Sequence, residues 1–188
     1  MKTLYSKKGY SLVEVLVAVA ILMLSIVGPL TIAAKSLQSA QYARQQNTAF
    51  FLAQEGITAI NTLRNNAGLD HYKNGVNAWN WTSDSRLDPC FAASGCDIDF
   101  RDSTLLDNIV SCASAEDCEL KFNESAGRSV YQLVGGAATP FRRIITLEEL
   151  PSPSEEILVT SRVEWGSTLL GGGDQLITLS TSLFNLYK

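Results

Sequence analysis

Apolar side chains run from Leu12 to Ala34 almost without a break, interrupted only by Glu14, Ser25 and Thr31. A run of this length coils into roughly 34 Å of helix, enough for the ~30 Å hydrocarbon core of a bilayer. From Lys35 the pattern changes. Leu37, Ala40, Ala43, Phe51, Leu52, Ile57, Ile60 and Leu63 recur largely at spacings of three and four, while Gln38, Gln41, Arg44, Gln45, Asn47, Gln54 and Asn61 fill much of the rest. That is the pattern of an amphipathic helix continuing the first, and Asn65-Asn66-Ala67-Gly68 supplies a stop. One helix from Tyr10 to about Asn65 is therefore predicted, apolar all round in its first half and one-sided in its second.

The last third alternates with period two, as strands do. Segments 129–134, 141–147, 156–165 and 175–184 read as strands, separated by Gly135-Gly136, by Pro151-Ser152-Pro153-Ser154 and by Gly171-Gly172-Gly173-Asp174. Ile157, Val159, Ser161, Val163 and Trp165 share one face; in the last strand Leu176, Thr178 and Ser180 oppose Ile177, Leu179, Thr181 and Leu183. Short connections make neighbours antiparallel, and one apolar face is expected to cover the outer half of the helix. The fold class is α+β. Between helix and sheet lies a stretch rich in Gly, Asn, Asp and Ser, with a short helix expected over 105–110 and an edge strand over 118–122. The expected divisions are 1–9, 10–34, 35–66, 67–128 and 129–188.

Charge sets the topology. Residues 1–8 hold Lys2, Lys7 and Lys8 and no acid, so this end stays cytoplasmic and the bulk of the chain faces out. Glu14 is then a carboxylate near the start of a membrane span, where a charge costs about 2.5 kcal/mol or more and marks a functional candidate. Gly28-Pro29 interrupts the same run; proline lacks a backbone donor and clashes with the preceding turn, so a kink or a locally melted stretch is expected there.

Composition narrows the chemistry. Four cysteines, Cys90, Cys96, Cys112 and Cys118, lie in the middle of the exported part and read as disulfides formed outside the cytoplasm, with three connectivities open. Their spacing is unlike a CxxC redox or zinc set, and the one histidine, His71, has no partners at ligand spacing, so it reads as a surface or loop residue. No serine stands in a nucleophile motif, and the glycine run at 171–173 lacks the lysine and hydroxyl of a phosphate loop. No enzyme activity, metal or cofactor is called for. Trp79 and Trp81 suit core packing or a loop lid better than a stacking surface. Arg142-Arg143, the one adjacent basic pair after the leader, is assigned to exposed positions or a bulge of a strand. Without the three leader lysines the chain has 12 basic and 19 acidic residues, which disfavours direct nucleic-acid binding.

Lys8-Gly9-Tyr10-Ser11-Leu12-Val13-Glu14, a basic leader joined through glycine and an aromatic to an apolar run with one glutamate, resembles the prepilin signal of the type IV pilins and the pseudopilins of type II secretion. The resemblance implies cleavage after Gly9 by a membrane aspartyl peptidase that also methylates the new amine on Tyr10, where phenylalanine is commoner. It implies that Glu14 acts in assembly, and that the helix is commonly unwound near a proline such as Pro29, although the usual proline lies slightly further along. A carboxylate and an ammonium attract far more strongly in low dielectric than in water, so Glu14 paired with a neighbour's Tyr10 amine would fix axial register. The implied partners are other pilin or pseudopilin subunits, the prepilin peptidase and methyltransferase, a platform protein and ATPase, and membrane lipid before assembly. The implied place is the bacterial inner membrane, then an extracellular or periplasmic filament. Thr139-Pro140-Phe141-Arg142 and Val163-Glu164-Trp165, at the ends of two strands, look like minor pilins and pseudopilins of the PilV and GspI sort. The expected role is a structural subunit of a pilus-like filament, a minor or even a major pilin. The alternatives are a pseudopilin of a secretion system and, from another class, an anchored adhesin that never polymerises.

Overall fold

The computed structural model of the chain describes residues 9–74, 81–99, 109–114, 116–125, 128–151, 156–166 and 173–184. It divides into two compact units, residues 1–43 and 44–188. Helix α1, Leu12–Asn74, contributes to both. In the first unit its side chains are almost all exposed, and the helix is the one among the described residues long and apolar enough to cross a membrane. It is helical through Pro29, with no melted stretch there.

The second unit is the α+β domain. Here α1 buries a stripe formed by Ala49, Leu52, Ala53, Gly56, Ala59, Ile60 and Leu63, the three-and-four spacing of a one-sided helix. Phe51, counted among the periodic positions by sequence, is turned outward and is 67% exposed. The helix also passes its expected stop and ends at Asn74. A mid-helix glycine costs only about 1 kcal/mol relative to alanine, and Ala67, beside Gly68, packs against the hydrophobic core. His71 consequently lies in the last helical turn, half-buried.

After α1 come two single turns of 3-10 helix, Trp81–Ser83 and Ser85–Leu87, and a short helix α2, Asp88–Phe91. The strands are β1 Cys96–Ile98, β2 Ile109–Ser111, β3 Glu119–Ser125, β4 Arg128–Gln132, β5 Ala137–Glu149, β6 Glu156–Gly166 and β7 Asp174–Phe184. All pairings are antiparallel. Strand β5 is the spine. Along one side it pairs β6 from Phe141↔Trp165 to Glu149↔Ile157, and β6 in turn pairs β7. Along its other side β5 meets β3 at its first half and β1 at Ile145; β4 lies beyond β3 and β2 beyond β1.

Two local expectations are corrected. The strand expected over 118–122 is no edge: β3 is enclosed by β4 and β5, because the Gly135-Gly136 bend returns the chain along it. The helix expected over 105–110 falls partly outside the described residues, and its end, Ile109-Val110, is the strand β2, whose β-branched side chains suit a sheet position. The alternation read from β6 holds, with Ile157, Val159, Ser161, Val163 and Trp165 all buried. Trp81 is in the core beside Leu87, Ile145 and Val159, while Trp79 lies outside the described residues.

The disulfides join nearest neighbours, Cys90 to Cys96 and Cys112 to Cys118, with Cα atoms 4.6 and 5.4 Å apart. The first pins α2 to the start of β1, and the second ties the end of β2 to the entry of β3. Loops this short are worth about 2 kcal/mol each in the chain-entropy account. Helix and sheet approach closely at Gly56, where an added Cβ would lie 2.6 Å from Ser161 Oγ, 3.2 Å from Ile145 Cδ1 and 3.3 Å from Arg143 Cδ. Overpacking of this kind costs about 1–3 kcal/mol. Gly56→Leu is therefore expected to lower unfolding stability by about 3 kcal/mol in denaturant titration, whereas Gly173→Leu, in open surroundings, should change it by less than about 1 kcal/mol.

Candidate functional site

The N-terminal segment is built from simple parts. Gly9, Tyr10 and Ser11 precede the helix, and the Val15 N–H donates to the Ser11 carbonyl as its first turn closes. No described residue lies within 4 Å of where a Gly9 Cβ would stand, so packing against the described residues does not require glycine there. Tyr10 is exposed, and Glu14 is exposed in the first helical turn, where the partial positive charge of the helix terminus favours a carboxylate. The other two polar residues of the span are satisfied on their own helix: Ser25 Oγ donates to the Leu22 carbonyl and Thr31 Oγ1 to the Gly28 carbonyl, each at 2.8 Å. Glu14 makes no side-chain hydrogen bond or ion pair with any described residue. The segment thus presents one carboxylate, unpaired within the described subunit, on an otherwise apolar helix. In hydrocarbon such a group requires a partner.

A second polar centre lies inside the domain. Arg143, on β5, is buried to within 1% exposure. Its Nε donates to Asp97 Oδ1 at 2.7 Å and its Nη1 to Glu55 Oε2 at 2.8 Å; Nη1 also reaches the Leu52 carbonyl at 3.3 Å and Nη2 the Ile98 carbonyl at 3.1 Å. The guanidinium therefore joins α1, β1 and β5. Asp97 Oδ1 also accepts the Ile98 N–H at 2.8 Å. Burial raises the Asp97 carboxyl from an ordinary 3.8 to about 6, an effect that the Arg143 charge and hydrogen bond only partly offset. The two neighbouring carboxylates hold the Arg143 guanidinium above its ordinary range despite burial.

This overturns the placement of the pair on exposed positions, while the bulge expected there has a counterpart in the register shift between Glu119↔Arg142 and Lys121↔Ala138. Arg142 is half-buried, reaching Glu164 and the carbonyls of Cys112 and Ser114, and Arg143 is in the interior. The signal was present in the alternation: Phe141, Ile145 and Leu147 face the core, and Arg143 shares their parity. Of the other residues singled out by sequence, the four cysteines are brought together in pairs; Gly9, Tyr10 and Glu14 sit at one end of α1; Gly28 and Pro29 are inside it. His71 joins no metal-binding group, and the described residues contain no cluster of three or more His, Cys, Asp or Glu arranged for a metal.

Breaking a buried charge pair from one side leaves the other charge uncompensated, at a cost of about 3–5 kcal/mol. Arg143→Met is expected to destabilise the domain by that amount at neutral pH, as read by chemical unfolding. Adding Asp97→Leu and Glu55→Met to the same chain should recover much of the loss.

Residues 4–28 match the family profile described as the prokaryotic N-terminal methylation motif. No curated protein and no solved structure matches the chain. The chain thus carries a prepilin-type methylation motif on a long apolar helix, with an α+β domain whose antiparallel sheet packs on that helix, and both features are those of membrane-anchored, non-enzymatic structural subunits of the broad type IV pilin and pseudopilin class.

Proposed function

We propose that the chain is a structural subunit of a type IV pilus-like filament, of the minor-pilin kind, cut after Gly9, methylated on the Tyr10 amine and polymerised through the first half of α1. The observation that carries this reading is the methylation motif over residues 4–28, with Glu14 as the one carboxylate of the span. Cleavage turns the Tyr10 nitrogen into an ammonium. A neighbour displaced along the helix axis can offer that amine to the Glu14 carboxylate. Two charges that are each costly in hydrocarbon become tolerable together, and only at one axial offset.

Residues 1–9 then form the cytoplasmic leader, residues 10–34 the part that moves from bilayer to filament core, and the domain from Arg44 the outer surface. Pro29 lacks the N–H that would bond the Ser25 carbonyl, and the helix is weakest there, so this is where it would lengthen under load. The partners are sister subunits, the prepilin peptidase and methyltransferase, and the platform protein and ATPase of the assembly machinery.

The decisive measurement is the mass of the mature N-terminus with and without the peptidase. Recovery of protein beginning at methylated Tyr10 and present in sheared fibres supports the proposal; protein that keeps residues 1–9, or a cleaved protein absent from every fibre, is the signature of a non-polymerising anchored domain. Glu14→Ala should leave cleavage largely intact and cut filament incorporation by about tenfold or more, and normal incorporation sinks the charge-pair mechanism. Gly9→Val should block processing, with the leader retained in the membrane fraction.

A further inference from the structure

One guanidinium serves two carboxylates in the domain interior, so with all three groups ionised the Glu55, Asp97 and Arg143 cluster has an excess negative charge. Glu55 is partly open to solvent; Asp97 is not. The surplus therefore bears on Asp97, the group least able to be hydrated. Its Oδ1 holds both the Arg143 Nε and the Ile98 N–H, while its Oδ2 is buried without a hydrogen-bond partner among the described residues. Among the described residues the remaining groups around Asp97 offer no second cation. Asp99, two residues on, is also buried; β2 pairs through Ile109, Val110 and Ser111, which have no charge; β6 presents the Ser161 hydroxyl; and Arg142 is engaged with Glu164 and two carbonyls. A proton arriving on Oδ2 removes the surplus and leaves both hydrogen bonds at Oδ1 in place.

The geometry at Gly56 makes this matter for the helix. Leu52 and Glu55 supply the α1 contacts to Arg143, and Gly56, one residue further, lies close against Ser161, Ile145 and Arg143 itself. We propose that this cluster is an acid-tightened latch: protonation of Asp97 at Oδ2 strengthens the hold of the Leu52–Gly56 turn of α1 on β1 and β5, and loss of that proton loosens it. The sign follows from linkage. Asp97 titrates near 6 in the folded domain against 3.8 ordinarily, so the folded form binds the proton more tightly. The added hold is fully present below about pH 4 and is lost as pH rises through about 6. The device belongs to the folded domain and stands whether or not the chain polymerises.

Amide hydrogen exchange of the full chain in detergent micelles, corrected for the intrinsic pH dependence of exchange, tests this at α1 residues 52–60. Opening of this stretch should be about tenfold or more rarer near pH 5 than near pH 7.5, and Asp97→Asn should abolish that pH dependence. Equal pH dependence in the variant and the native chain, or easier opening in acid, overturns the latch. Should Asp97→Asn fail to fold, Glu55→Gln keeps Asp97 titratable and removes a negative neighbour. The midpoint of the exchange transition should then fall below 6, and an unmoved midpoint overturns the proposal.

Discussion

A positive charge held in the interior is the constraint around which the domain is arranged. Arg143 cannot be buried alone, since an isolated ion in low dielectric costs far more than a domain's margin of stability. It is accommodated because α1 brings Glu55 and the Leu52 carbonyl while β1 brings Asp97 and the Ile98 carbonyl. The same arrangement limits how helix and sheet can sit within the domain. Sliding α1 by one turn would withdraw Glu55 from the guanidinium and push a side chain into the gap that Gly56 leaves. An apolar contact would tolerate such a slip better, so the ion cluster specifies register more than it adds stability. The Cys90–Cys96 bond works to the same end by fixing the residue next to Asp97.

The two halves of α1 solve the polar problem differently. In the domain, the buried Arg143 guanidinium finds its partners on other elements. In the span no other element is available, and Ser25 and Thr31 return their hydroxyls to carbonyls of their own helix. Glu14 cannot do the same, because a carboxylate accepts and does not donate and the carbonyls of a helix offer it nothing; it stands in the first turn, where the helix terminus favours negative charge.

The sheet has a division of labour along its spine. Strand β5 has a partner along both sides, and its inward residues Phe141, Arg143, Ile145 and Leu147 carry aromatic, ionic and aliphatic contacts in turn. Phe141 lies near Tyr131 and Trp165, and Tyr131 near Phe122, a chain of edge-on and tilted rings contributed by β3, β4, β5 and β6. The two disulfides hold the segment with the shortest strands, where three-residue ladders alone bury too little to stay in place.

The sequence by itself determined everything that depends on a local period or a local charge. The apolar run, its glutamate, the basic leader, the one-sided helix and the alternation in β5, β6 and β7 are all written within a few residues, and each survives in the structure or matches the methylation motif. What local pattern could not decide is partnership. Gly68 reads as a helix stop until Ala67 is seen packed on the core; 118–122 reads as an edge until β4 folds back beside it; four cysteines leave three pairings until chain geometry selects one. Arg143 is the clearest case, since alternation pointed it inward while its charge argued for the surface. Only tertiary structure could settle that conflict, because the two carboxylates that make an interior arginine tolerable lie 88 and 46 residues away along the chain.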